Sequence, residues 1–381
     1  MFAWCLALVI AAATSITAQS QTPPEESTRP KLSPAEIFQL QTQSENGDAS
    51  AQLALGKAYE FGNGVTQNDE LAVKWYRKAA EQGNATAENN LGVMYRTGSG
   101  VERDKEEAVR WYHKAAKLGN LPAMFNLGTA YYNGDGVPSD PTMAYSWFLL
   151  AQEGGYPAAQ DAVRRSAAEF GESSTYEATF QVGAMYEKGD QLPVNYAEAA
   201  KWYRRAAERG SVAPMAKVRL AALLLDGQGV QQDRSEALNL CRSAAQDGYA
   251  QGQFCVGYIY QQGLGLAKDP KEASKWYQQA ANRVHAQSAL RLADMNINGE
   301  GVDIDRAEAY CLFVAAYRGG ATSAKAQTQL LLKDMSKGEL KRLEKKLRER
   351  RLDPKKVFAI MQDQTSDSAP RKRLQLDGAI K

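Results

Sequence analysis

Between residues 47 and 321 the apolar positions form short helical stripes, not the alternation of a strand. Ala87, Leu91 and Tyr95, for example, stand four apart on one helix face. Beside that leucine sits a small residue, and the small position recurs as Gly56, Gly92, Gly128, Gly183, Ala221, Gly257 and Ala293. Five of the six intervals between these markers are 36 to 38 residues. The sixth, Gly128 to Gly183, is 55, one period plus a 19-residue insertion. Nineteen residues after each marker comes Trp75, Trp111, Trp147, Trp202, Leu240, Trp276 or Leu312. A fixed offset in seven copies makes this a repeat array, and the array decides how every element is read.

Each copy predicts two helices. The first stops at a glycine pair, such as Gly98 and Gly100, in every copy but the fourth, because glycine just past a helix takes the left-handed conformation cheaply. Twelve residues after each marker stands Asn68, Asp104, Asp140, Asn195, Asp233, Asp269 or Asp305, all preferred N-cap types worth about 1 kcal/mol each over alanine. The second helix follows, as in EEAVRWYHKAAKLGN over 106–120, with Trp-Tyr and Ala-Ala pairs as large and small packing surfaces. A lone pair cannot bury its stripe, so neighbouring pairs must stack.

The residues 91–119, LGVMYRTGSGVERDKEEAVRWYHKAAKLG, resemble the Sel1-like repeat, a relative of the tetratricopeptide repeat. The likeness runs over about residues 47–321, and copies four, five and seven depart from it. The resemblance implies an all-α fold, a right-handed α/α solenoid of about seven helix-turn-helix repeats. On this reading residues 33–46 are an N-terminal capping helix and 47–155 hold repeats one to three. Residues 156–174 are an inserted helix, 175–321 hold repeats four to seven, and 322–361 are a basic C-terminal capping helix pair. The polar leader 19–32 is expected to be flexible and the tail 362–381 disordered.

The N-terminus opens on an uncharged apolar run from Phe2 to Ala13, followed by small and polar residues. It reads as a secretory signal over residues 1–18, with Ala13 as the alternative cleavage position. The expected location is therefore secreted or periplasmic. Net charge is only +2, which excludes a strong overall field for nucleic acid. Residues 333–381, however, carry fifteen Lys and Arg against eight Asp and Glu. Membrane contact is expected only through this basic end or an uncleaved N-terminal segment.

Catalysis has little to stand on. The GxG pairs follow helices, whereas a dinucleotide loop needs a preceding strand. Neither histidine belongs to a metal-ligand or triad pattern, and His113 reads as an exposed, variable position. No cofactor is implied. Cys241 and Cys255 lie seven residues either side of Gly248 and face each other in an antiparallel pair; they read either as a disulfide or as two small buried hydrophobes. Some Sel1-like proteins staple helices in this way.

A binding face is the better candidate for function. Three residues before, one after and four after each marker lie Asn89, Val93 and Arg96; Phe125, Thr129 and Tyr132; Phe180; and Phe254, Tyr258 and Gln261. In tetratricopeptide relatives the matching face lines the concave groove, where exposed Phe and Tyr would anchor a protein or peptide. The other reading of the same stripe is packing against the next repeat. The expected function is a non-catalytic scaffold in envelope assembly, signalling or host interaction; the alternative is a cell-wall glycan or peptide binder, with hydrolysis as its remote extension.

Overall fold

The computed structural model describes residues 31–362, so the expected signal, the leader up to residue 30 and the tail from 363 lie outside it. Eighteen α-helices and no strand occur among the described residues. They divide into two compact units, one ending at Ala206 and the other beginning at Ala207. In the first unit α1 (Pro34–Glu45) precedes the pairs α2 (Ala49–Phe61) with α3 (Asp69–Glu81) and α4 (Ala85–Thr97) with α5 (Lys105–Lys117). Next come α6 (Leu121–Asn133) with α7 (Pro141–Glu153) and α8 (Pro157–Lys188) with α9 (Tyr196–Ala206). The second unit pairs α10 (Ala213–Asp226) with α11 (Arg234–Gln246), α12 (Ala250–Gln262) with α13 (Pro270–Asn282), and α14 (Ala286–Asn298) with α15 (Arg306–Arg318). It ends on α16 (Ala324–Lys333), α17 (Lys337–Glu349) and α18 (Pro354–Gln362).

The local signals do what their chemistry requires. All seven marker-plus-twelve residues cap a second helix, as where Asp104 Oδ1 accepts from the Glu107 N–H at 2.7 Å. Ser33 and Glu36 form a reciprocal capping box that starts α1. The marker glycine is a close-approach position: a Cβ on Gly92 would stand 2.6 Å from the Tyr112 ring. The second turn glycine joins one repeat to the previous one. Gly136 has φ 74°, and a Cβ there would lie 2.2 Å from the Lys105 carbonyl oxygen at the start of α5. Trp75, Trp111 and Trp202 are buried and each carries a cation three residues on, Lys78 over Trp75, Lys114 over Trp111 at 3.7 Å and Arg205 over Trp202 at 4.3 Å.

Two polar ties recur. Within a repeat, the residue four after the marker meets the tyrosine twenty after it: Glu60 accepts from Tyr76, Glu187 from Tyr203, and Gln261 from Tyr277 at 2.9 Å, while Arg96 lies beside Tyr112. Where position twenty is Phe148, Cys241 or Phe313, position four is Tyr132, Leu225 or Ile297 instead, so the polar partner disappears with the hydroxyl it served. Between repeats, position twenty-one meets the tyrosine three after the next marker. Arg77 donates to Tyr95 and Arg242 donates to Tyr260 at 2.6 Å.

His113 occupies the same inter-repeat position, which corrects the expectation of an exposed side chain. Its ring lies edge-on to Trp147 at 5.6 Å and to Tyr131 at 6.4 Å. Burial, with Lys117 nearby, drives its pKa down to about 4, so it is neutral near pH 7.

The insertion holds a helical run from Pro157 that is interrupted at Gly171, whose non-helical φ of 77° and ψ of 173° only glycine takes easily, and a second run then continues to Lys188. The first run holds the place of a first helix: Tyr156 packs on Phe125 at 5.3 Å, as His285 packs on Phe254 at 5.2 Å in a regular junction. The Ser146 hydroxyl of α7 then donates to the Ala178 carbonyl in the second run. The insertion is thus a first helix without a second, running directly into the first helix of copy four.

At the C-terminal end, α17 buries Leu343 and Leu347 completely. Lys346 on the helix and Arg350 at its C-cap hold it to α15, at 2.8 Å and 2.6 Å from the Glu308 carboxylate.

Candidate partner-binding surface

The stripe expected to bind a partner is largely engaged within the fold. Asn89 is buried and accepts from the Asn126 side-chain amide at 2.9 Å. Phe125 is buried against Phe148, and the buried Thr129 hydroxyl donates to the Phe125 carbonyl. Tyr132 has no tyrosine to serve, so its hydroxyl donates to Glu169 and its ring lies 5.6 Å from Phe170. That hydrogen bond to a carboxylate, with burial and the charge of Glu169 behind it, raises the Tyr132 pKa to about 12. Phe180 packs on Tyr203, Val93 is half-buried, and Arg96 and Gln261 serve the tyrosine tie. Phe125 is therefore wall and not an exposed anchor, because the next first helix covers it. Asn89, Phe125, Tyr132 and Phe254 touch the helix that follows their repeat, whereas Arg96, Phe180 and Gln261 contact the second helix of their own.

The second unit keeps part of the stripe open. Tyr258 on α12 remains 36% exposed, its ring stacked 6.4 Å from Phe254, and Phe254 rests on Tyr277 and His285. On α10 the equivalent stripe is Met215, Val218, Ala222 and Leu225, apolar throughout, with Met215 and Ala222 exposed. On α14 it is Leu290, Asp294 and Ile297, all half-buried, with exposed Arg291 beside them. Burial raises the Asp294 pKa, and Arg291 partly opposes the shift. His285 orients the junction: its Nδ1 accepts from the Ser288 N–H as the N-cap of α14, and its Nε2 meets the Gln251 side-chain oxygen at 2.7 Å. Met215, Arg291 and Asp294 were missed in the sequence. Their signal is the same three-four spacing, read in the copies that have lost the tryptophan.

The remaining candidates divide. Cys241 and Cys255 form a disulfide with Cα atoms 5.8 Å apart, joining α11 to α12 across the junction of copies five and six. Cys311 is buried and free, and burial raises its pKa to about 11. No group of three or more His, Cys, Asp or Glu able to hold a metal occurs among the described residues. An open cavity of about 470 Å3 lies at the first repeat, lined by Tyr59, Val65, Thr66, Gln67, Asn68 and Leu71 among others. None of its lining residues is a carboxylate. No helix among the described residues is long and apolar enough to cross a membrane.

The seven pairs coincide with a known sequence family. The family described as the Sel1 repeat matches residues 49–84, 85–120, 121–156, 177–211, 214–249, 250–285 and 286–320. The chain belongs to the Sel1 repeat family. Sel1 repeat proteins typically mediate protein–protein interaction, and the matches indicate no catalytic family. Among curated proteins the chain is similar to chitin synthase regulatory factor 3 of Schizosaccharomyces pombe, 34% identical over 26% of this chain and 11% of that protein. It is also similar to the chitin synthase regulator SKT5 of Saccharomyces cerevisiae, 28% identical over 28% of this chain and 16% of that protein. An uncharacterised protein of Neisseria meningitidis serogroup B is 33% identical over 24% of this chain and 19% of that protein. The chain therefore spans less than a fifth of the curated relatives it matches. Among solved structures, a protective antigen of uropathogenic Escherichia coli displaying an SLR fold is 33% identical, with a TM-score of 0.40 over 85% of this chain and 72% of that one. A Sel1 repeat protein from Oxalobacter formigenes is 27% identical, with a TM-score of 0.37 over 77% of this chain and 90% of that one.

Proposed function

We propose that the chain is an exported, non-catalytic scaffold that holds a protein partner on the first-helix face of its second unit. The observation that carries this is Tyr258. It is a large aromatic on a packed helix, left partly exposed beside Phe254 and next to the apolar stripe of α10. Aromatic side chains with one buried and one open side are the usual anchors of protein interfaces. The disulfide supports export, since such bonds persist in oxidising compartments. The names of the fungal relatives favour a regulatory role for the scaffold over a purely structural one.

The alternative, glycan binding, calls for aromatic platforms, acids and amides gathered in one pocket. The shallow apolar stripe of α10 beside Tyr258 favours the scaffold. Pull-down from the native envelope decides between them. The parent chain is expected to retain a protein that Tyr258→Ala loses, with neither binding purified wall material. Retention of wall material with no protein recovered overturns the reading.

A further inference from the structure

The basic end of the second unit is not consumed by its own packing. Lys346 and Arg350 turn inward to Glu308, but Lys337, Lys341, Lys345 and Arg348 form a separate exposed stripe along α17, three or four residues apart. Thirteen residues of helix carry this stripe over roughly 20 Å. Lys337 and Lys341 form no ion pair among the described residues. Lys345 meets Glu349 only at 3.9 Å, and Arg348 shares Glu344 at 3.0 Å, both in exposed settings where such pairs hold little. Past the helix end Arg351 is held at φ 57°, and Lys355 and Lys356 are exposed on α18. The sequence then adds Arg371, Lys372 and Arg373.

We propose that the α17 stripe of Lys337, Lys341, Lys345 and Arg348 lays the second unit against an anionic lipid surface. The apolar side of α17 is spent inside, where Leu343 and Leu347 are fully buried, so attraction here is electrostatic and no side chain inserts. Two other polyanions fit less well. A protein interface draws its strength from buried apolar or aromatic anchors, and the stripe has none. Single-stranded nucleic acid needs aromatic rings to stack on, and the stripe has none of those either. A row of cations without anchors matches the diffuse negative charge of a membrane, to which each adds about 1 kcal/mol, about fivefold in partitioning.

The test is sedimentation of the full chain with vesicles containing 30 mol% phosphatidylglycerol in phosphatidylcholine, against pure phosphatidylcholine; the neutral vesicles report any contribution of the apolar N-terminus. The triple variant Lys337→Gln, Lys341→Gln, Lys345→Gln is expected to partition about a hundredfold less onto the anionic vesicles, and 0.5 M salt should have a similar effect on the parent. The control Lys117→Gln, Lys188→Gln, Lys268→Gln removes the same charge from exposed positions in the repeats and should bind like the parent. Equal unfolding midpoints keep the comparison one of binding. The proposal is overturned if anionic vesicles bind no better than neutral ones, or if the triple variant binds like the parent. Tighter binding to duplex DNA or to polyglutamate than to vesicles overturns it too, and assigns the stripe to that partner. None of these outcomes bears on Tyr258, so the scaffold reading stands or falls separately.

Discussion

Six of the seven repeats close their second helix with a glycine in the left-handed region, Gly83, Gly119, Gly155, Gly210, Gly248 and Gly320; the sixth repeat places Val284 there, at φ 62°. A β-branched side chain in that region is a real outlier, costing about 1–2 kcal/mol relative to the right-handed form. Val284 recovers little by burial, because 64% of its surface is exposed. Val284→Gly removes the strain but gives the unfolded chain extra freedom, worth about 0.5–1 kcal/mol against it. The difference favours the variant by about 1 kcal/mol. For a segment of this size that raises the unfolding midpoint by about 2–4 °C in a thermal melt followed by circular dichroism. Val284→Ala keeps the left-handed penalty and should gain little. A glycine variant that melts at or below the parent would refute the strain argument.

Three further outcomes follow from the packing. Gly136→Ala sets a Cβ against the Lys105 carbonyl and strains φ, so it should destabilise by about 2 kcal/mol or more in urea unfolding; a neutral result would show that this repeat junction gives way easily. Reduction of Cys241–Cys255, which closes a loop of 14 residues, should cost about 3 kcal/mol; the Cys241→Ala, Cys255→Ala double variant should be as unstable as the reduced parent and insensitive to reductant. His113 binds a proton less readily folded than unfolded, so its contribution is complete above about pH 6.5 and lost as pH falls toward 4. Over that window it amounts to about 3 kcal/mol, and His113→Gln should flatten the pH dependence of the urea midpoint between 7.5 and 4.5.

Turns, caps and the tryptophan column were legible in the sequence because each is a local decision. Asp104 caps α5 whatever its neighbours do, and the glycine past a helix needs no partner. What the sequence concealed depends on register between helices. Arg96 and Gln261 looked like binding residues because each lies three residues after a position on the candidate face, Val93 or Tyr258, yet each serves a tyrosine sixteen residues on. The clue lay in the columns: the polar residue is present where that later position is tyrosine and absent where it is Phe148, Cys241 or Phe313. His113 misled for a related reason. Arg77, Arg204 and Gln278 in its column suggested solvent, although Arg77 and Arg242 use that position to reach the next repeat, and Leu149 and Val314 in the same column are apolar. Gly171 does interrupt the helix, and the run resumes at once because Ala178 and Val182 still have a core to join, which only the packing reveals.

The claim on which most depends is that the open face around Tyr258 holds a protein partner. A photo-crosslinking side chain at Tyr258, compared with one at Gln279 on an exposed position of α13, tests it directly in the native compartment. A discrete protein adduct is expected at Tyr258, absent at Gln279 and competed away by excess uncrosslinked parent chain. Equal labelling at both positions, or no protein adduct at either, would contradict the claim.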